Sequence, residues 1–511
     1  MSSVAEEVDA TQPQSEFVKA MSLTDATMLV AGSMIGSGIF IVSASISRQV
    51  TSPFWMLMAW IVTGIITLLG ALAFGEMAAM YPRAGGQYVF LRESMGSLMG
   101  FLYGWTLFVV IQTGTIAAVA VAFGRFLGVL VPSISPDRFG WFPSGDVCVG
   151  ILGCTDPAAA IQLGLSPQRL IALVTVWILT WINLRGVREG KMVQTTLTVV
   201  KTGALAILIL LGLTIGRNAE AISANFSGGN FFGTGGMDTS GFLIVFGAAM
   251  VGSLFSSDAW NNVTFAAAEV KNPSRNLPFA LLLGTGLVSL LYVLANVSYL
   301  NVLPLAGSAE ATTVLGRGIQ HAAQDRVGTA AAEVIFGASG ATLMAIAILI
   351  STFGCNNGLI LAGARVYYAM ARDGLFFRKA GVLNARKVPS TALIVQSVWV
   401  SLLCLTGTYN QLLNYVIFAA LLFYALTTVG LFILRRTRPD VPRPYRAIGY
   451  PVLPALYIIL SGAVCIILLI AKSTRTEAFS GLVLVLLGIP VYYLWRKVEE
   501  GRPSGPVTSA D

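Results

Sequence analysis

Apolar stretches of about 20 residues recur along the chain, each long enough to cross a hydrocarbon layer about 30 Å thick as a helix. Their limits fall near 26–50, 54–80, 96–131, 169–184, 188–217, 240–268, 277–303, 334–371, 388–407, 409–435, 450–472 and 478–496. None shows the roughly ten-residue alternation of a barrel strand. In hydrocarbon every backbone N–H and C=O needs an internal partner, so runs of this length are predicted to be helical. The fold class expected is an all-α integral membrane protein of about twelve transmembrane helices.

Two of these runs are interrupted. The first span contains Gly32-Ser33-Met34-Ile35-Gly36-Ser37-Gly38-Ile39-Phe40. Each glycine weakens a helix by about 1 kcal/mol relative to alanine. A half-helix starting after such a break would offer unpaired N–H donors and a positive dipole end to a carboxylate. Gly36 and Gly38 would let a ligand approach the backbone. Close helix packing is the competing reading, because Gly32 and Gly36 have the four-residue spacing of packing motifs. The sixth span contains Phe255-Ser256-Ser257-Asp258-Ala259-Trp260-Asn261-Asn262. A carboxylate at membrane depth costs at least about 2.5 kcal/mol, so this polar island is expected to face a cavity or a partner helix. A structural hydrogen-bond network is the alternative there.

Breaks in the first and sixth spans suggest two inverted repeats with a binding site at the midplane. The repeats would be 23–217 (helices 1–5) and 218–437 (helices 6–10), followed by 438–498 (helices 11–12). This division rests on position, because no residue-level repeat is evident. Lys201 lies about one-third of the way into the fifth span, too deep for easy snorkelling. It could replace a bound cation, carry a proton, or pair with Asp258 or another carboxylate. Ser351-Thr352-Phe353-Gly354-Cys355-Asn356-Asn357-Gly358 in the eighth span should face the same interior. Thr113 and Thr115 read as hydroxyls bonding their own preceding turn.

Composition narrows the class. Hydrophobic residues make up 55% and charged residues 11% of 511, where a soluble protein carries about 25% charged. The net charge of +8 is scattered among the spans, which argues against nucleic-acid binding and for a topology signal. With the N-terminus cytoplasmic, one face carries roughly 22 Lys and Arg and the other about 9. The inner clusters include Arg365, Arg372, Arg378, Lys379, Arg386 and Lys387, then Arg435, Arg436, Arg438, Arg443 and Arg446. Residues 1–22 lack the apolar core of a signal peptide and read, like 499–511, as a disordered cytoplasmic tail. Cys355, Cys404 and Cys465 read as core residues. Cys148 and Cys154, in the loop 132–168, could form a disulfide in an oxidising compartment. His321 reads as a surface residue. No nucleophile triad, phosphate loop or metal motif is present in the sequence, so neither an enzyme nor a metal or cofactor is expected.

Several motifs together resemble the amino acid–polyamine–organocation (APC) superfamily, most closely a bacterial member of its L-type amino acid transporter (LAT) branch. They are the 32–40 stretch, Pro82-Arg83-Ala84-Gly85-Gly86-Gln87-Tyr88, Asn183-Leu184-Arg185-Gly186-Val187, Val193-Gln194 leading to Lys201, and Trp260-Asn261. Glu269-Val270-Lys271-Asn272-Pro273-Ser274-Arg275-Asn276-Leu277-Pro278, the 351–358 stretch and Arg443-Pro444-Tyr445 complete the set. The resemblance covers about 20–470. It implies the five-plus-five inverted repeat called the LeuT-type fold, and alternating access.

The resemblance also implies a set of site residues. A substrate carboxylate would meet Gly36, Ser37 and Gly38, with Ser33 beside them. Its amine would meet carbonyls near Met34, Phe255, Ser256 and Asp258, under a Phe255 gate flanked by Trp260 and Asn261. Lys201 matches a lysine that occupies a sodium position, implying sodium-independent transport of L-amino acids at the plasma membrane, by exchange or with protons. Asp258 stands where several relatives carry glycine, and its charge would attract a cationic substrate or the α-amine. Human relatives pair with a glycoprotein heavy chain through one loop cysteine. The cysteine pair here suits itself instead, so no heavy-chain subunit is expected and the protein would be a monomer or homodimer. A polyamine carrier of the same fold would need more carboxylates at depth than Asp258. A signalling receptor would need a large soluble tail.

Overall fold

The computed structural model describes residues 17–140, 142–147, 161–227, 231–406 and 409–500. Cys148 and Cys154 lie outside these, as do most of the two predicted tails. Among the described residues, ten helices are long and apolar enough to cross a membrane. They are Pro53–Met80, Ser97–Leu130, Pro167–Leu184, Gly190–Leu213, Thr239–Ser256, Pro273–Val302, Ala338–Arg372, Val416–Thr437, Val452–Ile470 and Arg475–Val498. Two further spans complete twelve: the broken helix pair Leu23–Met34 and Val42–Val50, and the 17-residue Ser390–Thr406. Numbered in chain order, the broken pair is span 1 and Thr239–Ser256 opens span 6. With the helix of span 10 taken from Tyr409 and span 6 followed through its turns to Glu269, the observed ends fall within about four residues of the hydropathy limits.

Local chemistry sets several of these ends. Ser22 caps span 1 in a reciprocal box with Asp25. Ser52 and Ser166 cap spans 2 and 4, each followed by a proline at the first helical position, where no N–H is needed. Inside span 3, one wider π turn at Leu107–Ile111 places the Thr113 hydroxyl on the Phe108 carbonyl, 2.6 Å away. Thr115 bonds the Ile111 carbonyl at 2.7 Å, as expected for a threonine satisfying its own helix.

The outer surface is apolar. Leu210, Ile459, Leu494 and Leu243 are each more than half exposed. An apolar exterior of this extent is unsuited to water and suited to lipid. The polar side chains go inward, where spans 1, 5, 6, 7 and 8 meet. Packing pairs span 2 with span 7, span 3 with span 8 and span 4 with span 9, and the second half of span 1 lies against the first half of span 6.

The connections hold features that hydropathy did not reveal. A short helix, Gln87–Met95, follows span 2; a two-stranded antiparallel ribbon, Gly145–Val147 with Ile161–Leu163, follows span 3; and the helix Val327–Phe336 precedes span 8. His321 is half-buried in the connection between spans 7 and 8, so its reading as a surface residue holds only in part.

Arg365 and Arg435, counted above among the inner clusters, are paired with buried carboxylates. Arg365 is buried at the inner end of span 8, and its Nε donates to Glu269 at 3.0 Å; the two side chains are 1% and 0% exposed. Arg435 grips buried Glu76 through two bonds of 3.0 and 2.6 Å, and Arg443 approaches the same carboxylate at 3.3 Å. These charges are paired with carboxylates rather than solvated, so they report helix packing as much as orientation.

Candidate functional site

Span 1 stops being helical after Met34. Ile35 is extended, a single 3-10 turn covers Gly38–Phe40, and a helix resumes at Val42. Span 6 stops after Ser256 and continues as short turns at Asn262–Phe265 and Ala267–Glu269. Within that second break Ala259 has a φ of 63°, a left-handed conformation rare for a residue with a side chain. Both predicted interruptions are therefore present.

The end of a helix leaves its last carbonyls without amide partners. Each carbonyl from 32 to 36 finds a side chain instead. Lys201 Nζ donates to the carbonyls of Gly32 at 2.5 Å and Ile35 at 2.6 Å, and more weakly to that of Ser351 at 3.3 Å. Cys355 Sγ donates to the Ser33 carbonyl at 3.0 Å, so this cysteine does more than fill space. Tyr292 OH donates to the Met34 carbonyl at 2.9 Å and to the Ser256 carbonyl at 3.1 Å, joining the two breaks. Ser351 Oγ serves Ile35 and Gly36, each at 3.1 Å.

This arrangement removes one of the readings left open for Lys201. The side chain is buried at 1% exposure, and among the described residues no carboxylate lies within ion-pair distance. A salt bridge with Asp258 is thus excluded; the ammonium sits among carbonyls, as a bound cation would. The contacts of these glycines are those of close packing, the competing reading weighed above. A Cβ at Gly32 would collide with Gln194 and Thr198 of span 5, so this glycine is needed for packing. A Cβ at Gly38 would fall on the Ser256 side chain, so here the two breaks touch.

Asp258 is 6% exposed and accepts a bond of 2.6 Å from Tyr424 OH of span 10. Tyr424 also donates to Asn261 Oδ1 at 3.2 Å, Asn261 donates to Gln87 at 2.7 Å, and Gln87 to Thr427 at 2.9 Å. The polar island is therefore a hydrogen-bond network as well as a candidate site. Trp260 packs on Phe74 and Tyr424, with ring centroids 4.8 and 5.3 Å apart. Phe255 occupies the last helical turn before the break. Two cavities of about 10 Å³ flank Asp258. Each has room for about one water. Ser33, Met34, Gly36, Ser37, Gly38, Phe255, Ser256, Asp258, Trp260 and Asn261 are all buried within these two breaks.

Tyr292 and Tyr424 were not singled out from the sequence. Nothing in an apolar span distinguishes a tyrosine whose hydroxyl reaches another helix from one that lies at the membrane interface.

The profile of the family described as amino acid permease matches residues 21–489, nearly the whole chain. The chain belongs to the amino acid permease family. Its relatives include the b(0,+)-type amino acid transporter 1 of Rattus norvegicus, 28% identical over 96% of this chain and 90% of the relative. The large neutral amino acids transporter small subunit 2 of Homo sapiens is 30% identical over 93% of this chain and 80% of the relative, and that of Mus musculus is similar. The permease family and these relatives are transporters rather than enzymes, in keeping with the LAT-type resemblance of the motifs. The twelve-span architecture with helices 1 and 6 discontinuous is the one expected for an APC-fold permease, and the chain is a multi-pass membrane protein.

Proposed function

We propose that this permease carries L-amino acids across the plasma membrane by alternating access without sodium, as an exchanger or a proton-coupled symporter. The observation that carries the proposal is the Lys201 ammonium, bonded at 2.5 and 2.6 Å to carbonyls of the broken first span. A transporter that used sodium to hold this break would have no need of a fixed charge in the same place. The substrate carboxylate meets the N-terminal end of the turn at Gly36, Ser37 and Gly38, where the helix dipole is positive. Its amine meets the second lone pairs of the Met34 and Ser256 carbonyls, with Ser33 nearby, and is drawn by the Asp258 carboxylate. Phe255 closes over it, and Trp260 and Asn261 form the wall through their packing on span 10.

The repeats 23–217 and 218–437 rock against each other around this site. Contacts between spans five apart (1 with 6, 2 with 7, 3 with 8, 4 with 9) support that division. The name of one relative, the large neutral amino acids transporter small subunit 2, favours neutral amino acids as substrates. The basic inner clusters support cytoplasmic termini, and the cysteine pair supports a chain working without a heavy subunit, as monomer or homodimer.

Uptake of labelled L-leucine and L-alanine into proteoliposomes tests this reading. Sodium should have no effect on the rate. Dependence on internal amino acid marks exchange, whereas dependence on an inward proton gradient marks symport. A requirement for sodium overturns the role given to Lys201. Uptake of polyamines in place of amino acids favours the alternative of an organic-cation carrier, toward which the buried Asp258 points.

A further inference from the structure

Apart from the midplane, the structure has a cavity of about 250 Å³ in the connection between spans 7 and 8, on the membrane face opposite the chain ends. Arg317, Arg326, Glu333 and Thr329 line it, together with Ala323 and Ala341. Arg317 Nε donates to the Ala311 carbonyl at 2.7 Å and Arg326 Nε to the Ala323 carbonyl at 3.3 Å. Among the described residues neither guanidinium has a carboxylate within ion-pair distance, and their terminal nitrogens have no protein partner. Burial, and then the nearby Arg125 guanidinium, lower the pKa of Arg326 from its ordinary value. Thr329 is 7% exposed, and its hydroxyl has no hydrogen-bond partner. A buried hydroxyl left unpaired in this way costs about 1–3 kcal/mol. Glu333 supplies an unpaired negative charge to the same wall.

We propose that this cavity is a second binding site, distinct from the midplane, for one small zwitterion. Arg317 and Arg326 hold its carboxylate, Thr329 donates its hydroxyl to the same group, and Glu333 receives its ammonium. The choice of an amino acid as occupant rests on the reading of the chain as an amino acid carrier. Its size agrees, because the cavity falls just below the roughly 300–1,000 Å³ of sites for drug-sized ligands. A plain anion would leave Glu333 unpaired, and a plain cation would leave both arginines unpaired, whereas a zwitterion answers all three. The site also adjoins the first break. Gly328, next to Thr329, packs so closely on Phe40 at the end of the 3-10 turn that a Cβ there would touch the ring. Occupancy can therefore be felt by span 1.

The test uses the full chain in lipid nanodiscs, with Cys148 and Cys154 changed to serine and Ala341→Cys placed in the cavity wall. The readout is the rate at which 2-sulfonatoethyl methanethiosulfonate modifies this cysteine. L-leucine or L-alanine should slow it, while N-acetyl-L-leucine and acetate should not. Thr329→Val, which keeps the shape, and Arg326→Ala should each raise the concentration needed for protection by about tenfold. Gly38→Val, in the midplane break, should leave protection in place. The proposal is overturned if neither amino acid protects, if acetate protects equally, or if Gly38→Val abolishes protection. Protection without uptake removes the carrier reading and keeps this site; uptake without protection does the reverse.

Discussion

Single residues hold the first break together, and their effects should be separable. Lys201→Met removes the charge and leaves the Gly32 and Ile35 carbonyls without their donor. Bonds to a charged group contribute about 1.5–3 kcal/mol each. Uptake should fall at least tenfold, with protein still inserted, and an unchanged rate measured alongside surface abundance would make the lysine structural only. Tyr292→Phe deletes one hydroxyl that serves both breaks. It should cost about 1–3 kcal/mol, read as a lower melting temperature in detergent, and weaken substrate binding. Gly38→Val should abolish binding, because the added side chain would drive Ser256 away and cover the backbone donors. Near-normal affinity in that variant would move the carboxylate site elsewhere.

Among elements, the inner ends of spans 6 and 8 are joined by the Glu269–Arg365 pair, with both side chains buried. Breaking a buried pair by removing one partner costs about 3–5 kcal/mol, because the other charge is stranded. Arg365→Leu should therefore sharply lower the yield of folded protein, and adding Glu269→Leu should recover much of it. Thermal unfolding of the single and double variants checks this; no recovery would mean that the pair does more than satisfy itself. Neither the pair nor the Glu76–Arg435–Arg443 cluster was legible in the sequence, where the same arginines count only among the inner clusters. A local pattern shows how many charges flank a span, but it does not show which of them turn inward onto a carboxylate from another span.

At the scale of the whole molecule, an even number of spans puts the start of span 1 and the end of span 12 on one face. With the basic clusters on that face, the termini are expected in the cytoplasm. An epitope tag at either end should stay inaccessible to antibody in intact cells and become accessible after permeabilisation; a tag exposed without permeabilisation would reverse the orientation. The apolar belt around residues such as Leu210 and Ile459 also calls for lipid or detergent to keep the isolated protein dispersed.

Much of this protein follows from sequence alone. A backbone in hydrocarbon must satisfy itself locally, so long apolar runs had to be helices, and glycines or a carboxylate within them pointed to the breaks near 32–40 and 255–262. Lys201 was legible for the same reason, since a charge at depth is expensive enough to stand out. Tertiary structure decided who answers each interruption. Tyr292, Cys355, Ser351 and Tyr424 are separated from their partners by up to more than 300 residues in sequence. Their hydrogen bonds exist only because packing brings distant spans within about 3 Å of the exposed carbonyls, which is a property of the assembled bundle and not of any one helix.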